Sequence, residues 1–213
     1  MGSEMCIRDS TVNIMNSVNH KYHHGNLRDE ILRAAYNFVL VNGYSAMSLR
    51  GIADECNVSA TAIYRHYKTK EHLLADVVVK GFIEFNTFVE GSEDADIFEK
   101  CDNYLEFAFD NKNIYDLLFS QSVVEFLKFP NILEVADNAF QTLLESVKDH
   151  DKSLNDLSAS NKAVHIWSFL HGITSISKKM DVALALPNSE MPIPVRSIKR
   201  ARDNIRRFIE DLF

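Results

Sequence analysis

The chain of 213 residues has ordinary proportions of hydrophobic and charged residues, 46% and 25%, and a formal net charge of −7. This composition is typical of a folded globular protein, so extensive disorder is not expected. No apolar run approaches the roughly 20 residues of a membrane span, and the N-terminal "MGSEMCIRDS" lacks the apolar core of a signal peptide.

The spacing of apolar residues predicts an all-α protein of about nine helices. All four prolines lie at or after Pro130, and the alternating pattern of half-buried strands does not occur. We expect a leader or flexible arm over residues 1–22, an N-terminal domain of three helices over 23–75, and a C-terminal helical bundle over 76–213.

The N-terminal domain and the helix that follows it have clear start and stop signals. The first helix begins near Asn26, a favourable N-cap residue, and ends before Gly43, which suits the left-handed position after a helix. A hydroxyl residue stands at each later N-cap position: Ser48 before 49–56, Ser59 before 60–67, and Thr69 before a long helix from 70 to about 90.

The remaining helices follow a break at "GSEDAD". A turn-rich segment, "LPNSEMPIP", separates the last helix from the others. The expected ranges are 97–111, 113–119, 131–149, 157–182 and a final helix whose apolar stripe runs from Val195 to Leu212.

The short second and third helices have the outline of a helix-turn-helix. Ala53 is small enough to let the two helices cross closely, and Asn57 falls in the turn, where a left-handed backbone is needed. Val58 and Ile63 can seal the pair against the first helix. An ordinary tight turn between helices remains the alternative, but it explains fewer of these coincidences.

In a helix-turn-helix the third helix would enter the major groove of DNA. Its first side chains are short, which lets the backbone approach base edges, whereas Arg65 could reach either a guanine edge or a phosphate. Residues 20–74 carry seven Lys/Arg against five Asp/Glu, although residues 75–213 are acidic. The candidate DNA contacts are Ser48, Arg50, Ser59, Ala60, Thr61, Ala62, Tyr64, Arg65, His66 and Lys70.

Residues 27–80 resemble the N-terminal domain of the tetracycline-repressor (TetR) family of bacterial transcriptional regulators. The resemblance is carried by "ILRAA" and "NGYSAMSLRGIADECNVSATAIYRHYKTKEHLL", with Cys56 and Asn57 where that family often has Ala-Gly. It implies a homodimer that presents two recognition helices to a pseudo-palindromic operator, with Ser48, Tyr64 and Lys70 on phosphates. "YHHGNLR", "NIYDLLFS" and "WSFLHG" resemble a subgroup with a WHG-type C-terminal domain.

The C-terminal bundle is rich in phenylalanine, with thirteen of the fourteen after residue 75. Helical bundles build ligand sites between their helices, so we expect a pocket for a small effector, and the phenylalanines favour an apolar one. A plain hydrophobic core is the alternative reading for each residue. The candidate pocket residues are Phe82, Phe85, Phe107, Phe119, Phe140, Trp167 and His171.

The last helices are candidates for a dimer interface. The resemblance implies that the final two helices of each subunit form a four-helix interface, although the arginines of the last helix could also make a second nucleic-acid surface. The candidate interface residues are Phe169, Ile173, Ile176, Ile198, Ile205, Phe208 and Ile209.

No catalytic or cofactor-binding motif is found, so an enzyme is not expected and no cofactor is predicted. His20, His23 and His24 could form a metal cluster, but a basic arm along DNA is the preferred interpretation and no metal is predicted. The odd number of dispersed cysteines favours a reducing cytoplasm. The resemblance implies that this is a bacterial cytoplasm, with the protein at the nucleoid. We therefore expect a ligand-responsive dimeric repressor; the alternative is an all-α adaptor whose head binds a protein.

Overall fold

The structure, a computed structural model, describes residues 27–119 and 128–213. The predicted arm, its three histidines and the Asn26 cap lie outside these residues. Every regular element in the described part of the chain is helical, which confirms the all-α prediction. One 3₁₀ helix, Tyr44–Ala46, was not anticipated.

Eleven α-helices occur in the described residues, nine of them with seven residues or more. Their bounds are α1 Leu27–Asn42, α2 Leu49–Glu55, α3 Ala60–His66, α4 Lys70–Glu90, α5 Ile97–Asp110, α6 Lys112–Leu118, α7 Pro130–His150, α8 Asp156–Lys179, α9 Asp181–Leu184, α10 Ile193–Asp203 and α11 Ile205–Glu210.

The predicted final helix is two helices. Asn204 leaves the helical conformation, with φ −135° and ψ 43°, and separates α10 from α11. The helix expected over 157–182 likewise ends at Lys179 and is followed by the single turn of α9. Apolar spacing continues across both breaks, so it could not reveal them.

Two of the three hydroxyl caps form as predicted. Ser48 Oγ accepts a hydrogen bond from the Gly51 amide at 3.1 Å, and Ser59 Oγ accepts one from Ala62 at 3.3 Å. Thr69 occupies its cap position but makes no such bond, because its Oγ1 pairs with His72 Nδ1 at 3.0 Å.

The helix-turn-helix is present in α2 and α3. Asn57 has φ 54°, so it adopts the left-handed conformation that the turn requires. Ala53 is 1% exposed, and its carbonyl accepts the Val58 amide at 3.0 Å, which closes the turn. We call α1–α3 with the first turns of α4 the head; its core includes Ile31, Ala35, Val39, Ile52, Ile63 and Leu73, all fully buried.

Helix α4 runs from the head into the C-terminal bundle, which we call the body. It packs against α1 on one side and against α5, α6 and α7 on the other. Gly81 allows α6 to approach closely, because a Cβ there would lie 3.0 Å from Leu118 Cδ2. Head and body are therefore joined by one continuous helix rather than by a linker.

The body consists of α4–α8, with α10 lying on α8 and α11 on α5. No helix within residues 27–119 or 128–213 is both long and apolar enough to cross a membrane.

Candidate nucleic-acid interface and ligand cavity

The ten predicted DNA contacts lie around α2, α3 and the start of α4, and none of them is buried. Ala60, Ala62 and Lys70 are half-buried and the other seven are exposed, including Tyr64 at 54%. Tyr67, by contrast, is 2% exposed and belongs to the core. We call the surface formed by these ten residues the reading face.

The two capping serines retain a hydrogen-bond donor on the reading face. In each cap the hydroxyl oxygen accepts from a backbone amide of its own helix. A hydroxyl has one hydrogen besides its acceptor lone pairs, so Ser48 and Ser59 can each still donate to an external oxygen.

A shallow recess joins the phosphate-contact candidates. Ser48, Arg50, Ala60, Tyr64 and Lys70 line it. Four further lining residues were missed by sequence reasoning: the exposed Lys68 and Thr69 and the buried Met47 and Leu49. Lys70 Nζ donates to the Ser45 carbonyl at 3.2 Å, which holds the ammonium beside the start of α2. The signal for Lys68 was its position in the same cationic stretch, "YKTK".

The cations of this surface are not neutralised by the head. Arg50, Arg65, Lys68 and Lys70 make no ion pair with any carboxylate of the described residues. Their charge is therefore free to act on an external polyanion.

The body encloses a cavity of about 490 Å³ between α4, α5, α7 and α8. Six of the seven predicted pocket residues line it: Phe82, Phe85, Phe119, Phe140, Trp167 and His171. Phe107 does not; its ring lies 5.2 Å from Phe85 and is buried in a second layer behind the wall. Phe107 therefore does not line this cavity, because its place on α5 turns it towards the core between α4 and α5.

Edge-to-face aromatic contacts build the wall of the cavity. The Phe85 ring lies 5.4 Å from Tyr104 and 5.5 Å from Phe119, and Trp167 lies 6.1 Å from Phe140. Such offset pairs are favourable beyond the burial of their area, so the wall is set by mutual ring contacts.

A hydrogen-bonded trio lies at one end of the cavity. The hydroxyls of Tyr104 and Tyr115 are 2.8 Å apart and lie 2.7 and 2.6 Å from His171 Nδ1. Burial lowers the pKa of His171 to about 4, and burial raises the pKa of Tyr115 to about 12 and that of Tyr104 further. At neutral pH all three groups are therefore uncharged.

The trio is a closed set of hydrogen-bond partners. Each phenol has the other hydroxyl and His171 Nδ1 within reach, so a relay through the two hydroxyls satisfies the imidazole in either neutral tautomer. Sequence reasoning placed His171 in the pocket but missed Tyr104 and Tyr115, which only the packing of α5, α6 and α8 brings to it.

Lys100 lies one turn before Tyr104 on α5 and also lines the cavity. Its Nζ donates to Ser146 Oγ on α7 at 3.1 Å, and that hydroxyl donates to the Thr142 carbonyl at 2.8 Å. Cys101 beside it is buried, and burial raises the pKa of its thiol to about 12, so the thiol is not reactive at neutral pH.

Comparison with known proteins decides the family. Residues 31–77 match the family model described as "Bacterial regulatory proteins, tetR family", and residues 97–188 match "Tetracyclin repressor-like, C-terminal domain". The chain belongs to the TetR family. Its C-terminal domain is of the WHG type, and "WSFLHG" lies inside the second match. Members of this family are transcription regulators, not enzymes.

Solved TetR-like structures share the fold. A protein of unknown function from Rhodococcus sp. RHA1 has TM-score 0.65 and 19% identity, covering 89% of this chain and 98% of its own. FadR from Bacillus subtilis, solved in complex with stearoyl-CoA, has TM-score 0.58 and 18% sequence identity, and the match covers 83% of this chain and 98% of FadR. A tetR-family regulatory protein from Rhodococcus RHA1 has TM-score 0.52 and 18% sequence identity, and the match covers 86% of this chain and 93% of that protein. No curated protein sequence matches the chain.

The seven residues predicted for a TetR dimer interface are dispersed by the fold. Ile173, Ile205 and Ile209 are at most 3% exposed and pack inside the protomer, so their side chains offer nothing to a partner. Phe169, Ile198 and Phe208 are half-buried. The rings of Phe169 and Phe208 stack on each other with their centroids 5.9 Å apart. The physical reason is that α10 and α11 use their apolar stripe to cover α8 and α5 of their own chain.

Only Ile176 of the seven is exposed, at 39%. It shares the outward side of α8 with Leu157 at 71% and Val164 at 43%. The remaining positions on that side are small or polar, among them Ser168, Gly172 and Ser175. We call this side of α8 the outer face.

Proposed function

We propose that this TetR-family chain is a ligand-responsive repressor that binds a pseudo-palindromic operator as a homodimer. The observation that carries the proposal is the reading face: a short helix with small leading residues, flanked by cations without a carboxylate partner among the described residues. Residues 23–75 would form the DNA-binding domain and residues 76–213 the ligand-binding and dimerisation domain.

The shape of α3 supports entry into the major groove. The residues at its start have at most three heavy atoms in each side chain, and all are exposed or half-buried: Ser59, Ala60, Thr61 and Ala62. A helix with such a surface can bring its backbone close to base edges. Arg65 and His66, further along α3, are exposed. The long side chain of Arg65 would let it contact either a base edge or a phosphate.

The charges and hydroxyls beside α3 support docking on the DNA backbone. Lys70 is held at the Ser45 carbonyl, Tyr64 projects from α3, and Ser48 keeps its hydroxyl hydrogen. These three residues and Arg50 line one recess, an arrangement suited to binding neighbouring phosphates. Phosphate contacts set the register of the helix, whereas base contacts set its sequence preference.

The outer face of α8 supports a dimer. A Cβ built on Gly172 would meet no atom within 4 Å, so the protomer itself does not need a glycine there. Small residues between exposed Leu157, Val164 and Ile176 let a second helix approach closely. Two protomers joined this way could present their α3 helices to successive major grooves, roughly 34–36 Å apart.

The cavity supports an effector of largely apolar character. Its volume of about 490 Å³ lies within the usual range of small-molecule sites. FadR from Bacillus subtilis, which shares the fold, is solved in complex with stearoyl-CoA. An effector that binds better to a protomer spacing unsuited to DNA would lower operator affinity by that difference.

A salt titration of DNA binding tests the proposal. The probe is duplex DNA from upstream of the chain's own gene, with binding followed by fluorescence anisotropy. The logarithm of the affinity should fall by about 0.9 per logarithmic unit of salt for each phosphate neutralised. The double variant Tyr64→Phe with Lys70→Ala should weaken binding and flatten that slope by about one phosphate.

Lys152→Ala is the matched control, because Lys152 pairs with Asp149 on the surface of the body, away from the reading face. It should leave affinity and slope unchanged. A salt-independent affinity, or equal losses in the control and the double variant, would refute docking by the reading face and favour the adaptor hypothesis.

A further inference from the structure

Lys100 gives the apolar cavity of the body a single cation. Among the described residues that line the cavity, it is the one Lys or Arg, and most of the others are aromatic or aliphatic. Its side chain is half-buried, between α5 and α7. A charged group at the wall of an apolar cavity is costly unless a counter-charge or hydrogen bonds compensate it.

The compensation within the protomer is incomplete. Ser146 Oγ, itself 6% exposed, accepts from Lys100 Nζ and passes its own hydrogen to the Thr142 carbonyl. The part of the chain that the structure describes supplies one neutral acceptor to an ammonium that has three donors. No described carboxylate forms an ion pair with Lys100.

The acid that lines the cavity is too far along its helix to serve as the counter-charge. Asp137 is exposed and precedes Ser146 on α7 by nine positions. At 1.5 Å per residue this places the two backbones about 13 Å apart along the helix axis. Asp149 interacts with Lys100 through its charge but forms its ion pair with Lys152. The remaining donors of Lys100 are therefore available to an external anion.

The polar trio of Tyr104, Tyr115 and His171 adds no negative charge, because its phenols are protonated and its imidazole is neutral. The cavity thus combines a mostly aromatic and aliphatic wall with one cation among the described lining residues. A ligand complementary to this arrangement has an apolar body and an anionic, acceptor-rich head.

We infer that the effector is an amphipathic organic acid whose carboxylate pairs with Lys100 and whose apolar body lies against Phe82, Phe85, Phe140 and Trp167. The inference rests on the proposed role of the cavity as the effector site. It narrows that role to anions and assigns the headgroup to the Lys100–Ser146 end.

The protein carries its own reporter for this binding. Trp167 is the only tryptophan of the chain and lines the cavity, so a ligand beside it should change the intrinsic fluorescence. The probes are decanoate, 1-decanol and decylamine, which share one alkyl chain and differ in the charge of the head.

The wild-type chain should bind decanoate at least about tenfold more tightly than 1-decanol, and decylamine more weakly than either, because a hydrogen bond to a charged group is worth about 1.5–3 kcal/mol. Lys100→Met removes the charge and keeps an unbranched side chain that is one atom shorter. It should remove the preference for decanoate and leave the affinity for 1-decanol within about twofold.

Lys152→Met is the control for a lysine changed at the surface, and it should behave as the wild type. Equal affinity for the acid and the alcohol in the wild-type chain, or an unchanged preference in Lys100→Met, would overturn the inference. So would the failure of all three probes to alter Trp167 fluorescence in protein whose thermal unfolding is normal.

Failure of the proposed function has a different signature. If decanoate binds with the expected dependence on Lys100 but the chain does not bind its upstream DNA, the repressor role is wrong and the ligand class stands. If the DNA is bound and 1-decanol binds as well as decanoate, the ligand class is wrong and the repressor role stands.

Discussion

Asn113 Nδ2 lies 3.0 Å from the carbonyl oxygen of Leu40, and this hydrogen bond ties the start of α6 to the last turn of α1. The same amide also donates to the Val41 carbonyl at 3.1 Å. Two residues further on, Tyr115 belongs to the trio with His171 at the end of the cavity. Helix α6 therefore contacts the cavity and the head within one turn.

Asn113→Ala should loosen the connection between cavity and head. The two lost bonds end on carbonyls at a helix terminus that water can reach, so the free energy of unfolding should fall by only about 1 kcal/mol. The effect of a cavity ligand on operator affinity should shrink more than the stability does. The measurement is the ratio of operator dissociation constants with and without saturating decanoate.

Asn111→Ala is a matched control, because Asn111 Nδ2 bonds to Phe107 within the body and not to α1. It should leave the ratio close to the wild-type value. A ratio that is unchanged in Asn113→Ala would show that the tie to α1 does not transmit the effect of the ligand.

Asn57 should tolerate glycine but not valine. Its φ of 54° is left-handed, a conformation that costs a β-branched residue about 1–2 kcal/mol more than it costs glycine. Asn57→Gly should keep the free energy of unfolding within about 1 kcal/mol of the wild type, since relief of strain offsets a more flexible unfolded chain. Asn57→Val should destabilise the head and weaken operator binding, as followed by urea unfolding and by anisotropy. Equal stability of the two variants would contradict the assigned turn.

His171 should make stability depend on pH below about 6.5, its ordinary pKa. Burial lowers its pKa in the folded chain to about 4, so between these values the unfolded chain binds a proton that the folded chain does not. The contribution of His171 to the free energy of unfolding is therefore fully present above the unfolded pKa. It falls as the pH falls, by about 1 kcal/mol per pH unit after allowance for partial exposure.

The measurement is urea unfolding of the wild type and of His171→Gln, which has no titrating ring, over this pH range. The stability advantage of the wild type should be largest near neutral pH and should narrow towards pH 4. Parallel pH profiles for the two proteins would rule out a buried neutral imidazole.

The parts of the structure that the sequence predicted are those determined locally. The Ser48 and Ser59 caps and the left-handed Asn57 depend on residues within a few positions of each other, so the chemistry of each residue sufficed. Membership of the reading face follows from the same short stretch. Lys68 was missed only because the turn after α3 brings it back to the recess.

The parts that could not be predicted depend on contacts distant in sequence. Phe107 and Phe119 look alike in the sequence, but the packing of α5 against α4 hides the first and leaves the second at the cavity. Lys100 and Ser146 are 46 positions apart, and no spacing rule joins them. The apolar stripe of α10 and α11 predicted an interface, yet either a partner or the chain's own core could cover it.

Ile176→Asp should dissociate the proposed dimer. The outer face of α8 exposes Ile176 at 39%, near Gly172, where the protomer leaves space for a close approach. A buried carboxylate without a counter-charge at such a contact would cost several kcal/mol, which is more than a single interface residue can offset. The measurement is the molar mass in solution, expected at twice the 24.3 kDa protomer for the wild type and at one protomer for the variant.

Val182→Asp is the control, because Val182 on α9 is 87% exposed and lies off the outer face. It should remain a dimer with wild-type operator affinity, whereas Ile176→Asp should lose affinity as well as mass, since one head alone holds half of the operator. A wild-type chain that is monomeric at micromolar concentration, or an Ile176→Asp variant that stays dimeric, would place the partner contact elsewhere than on α8.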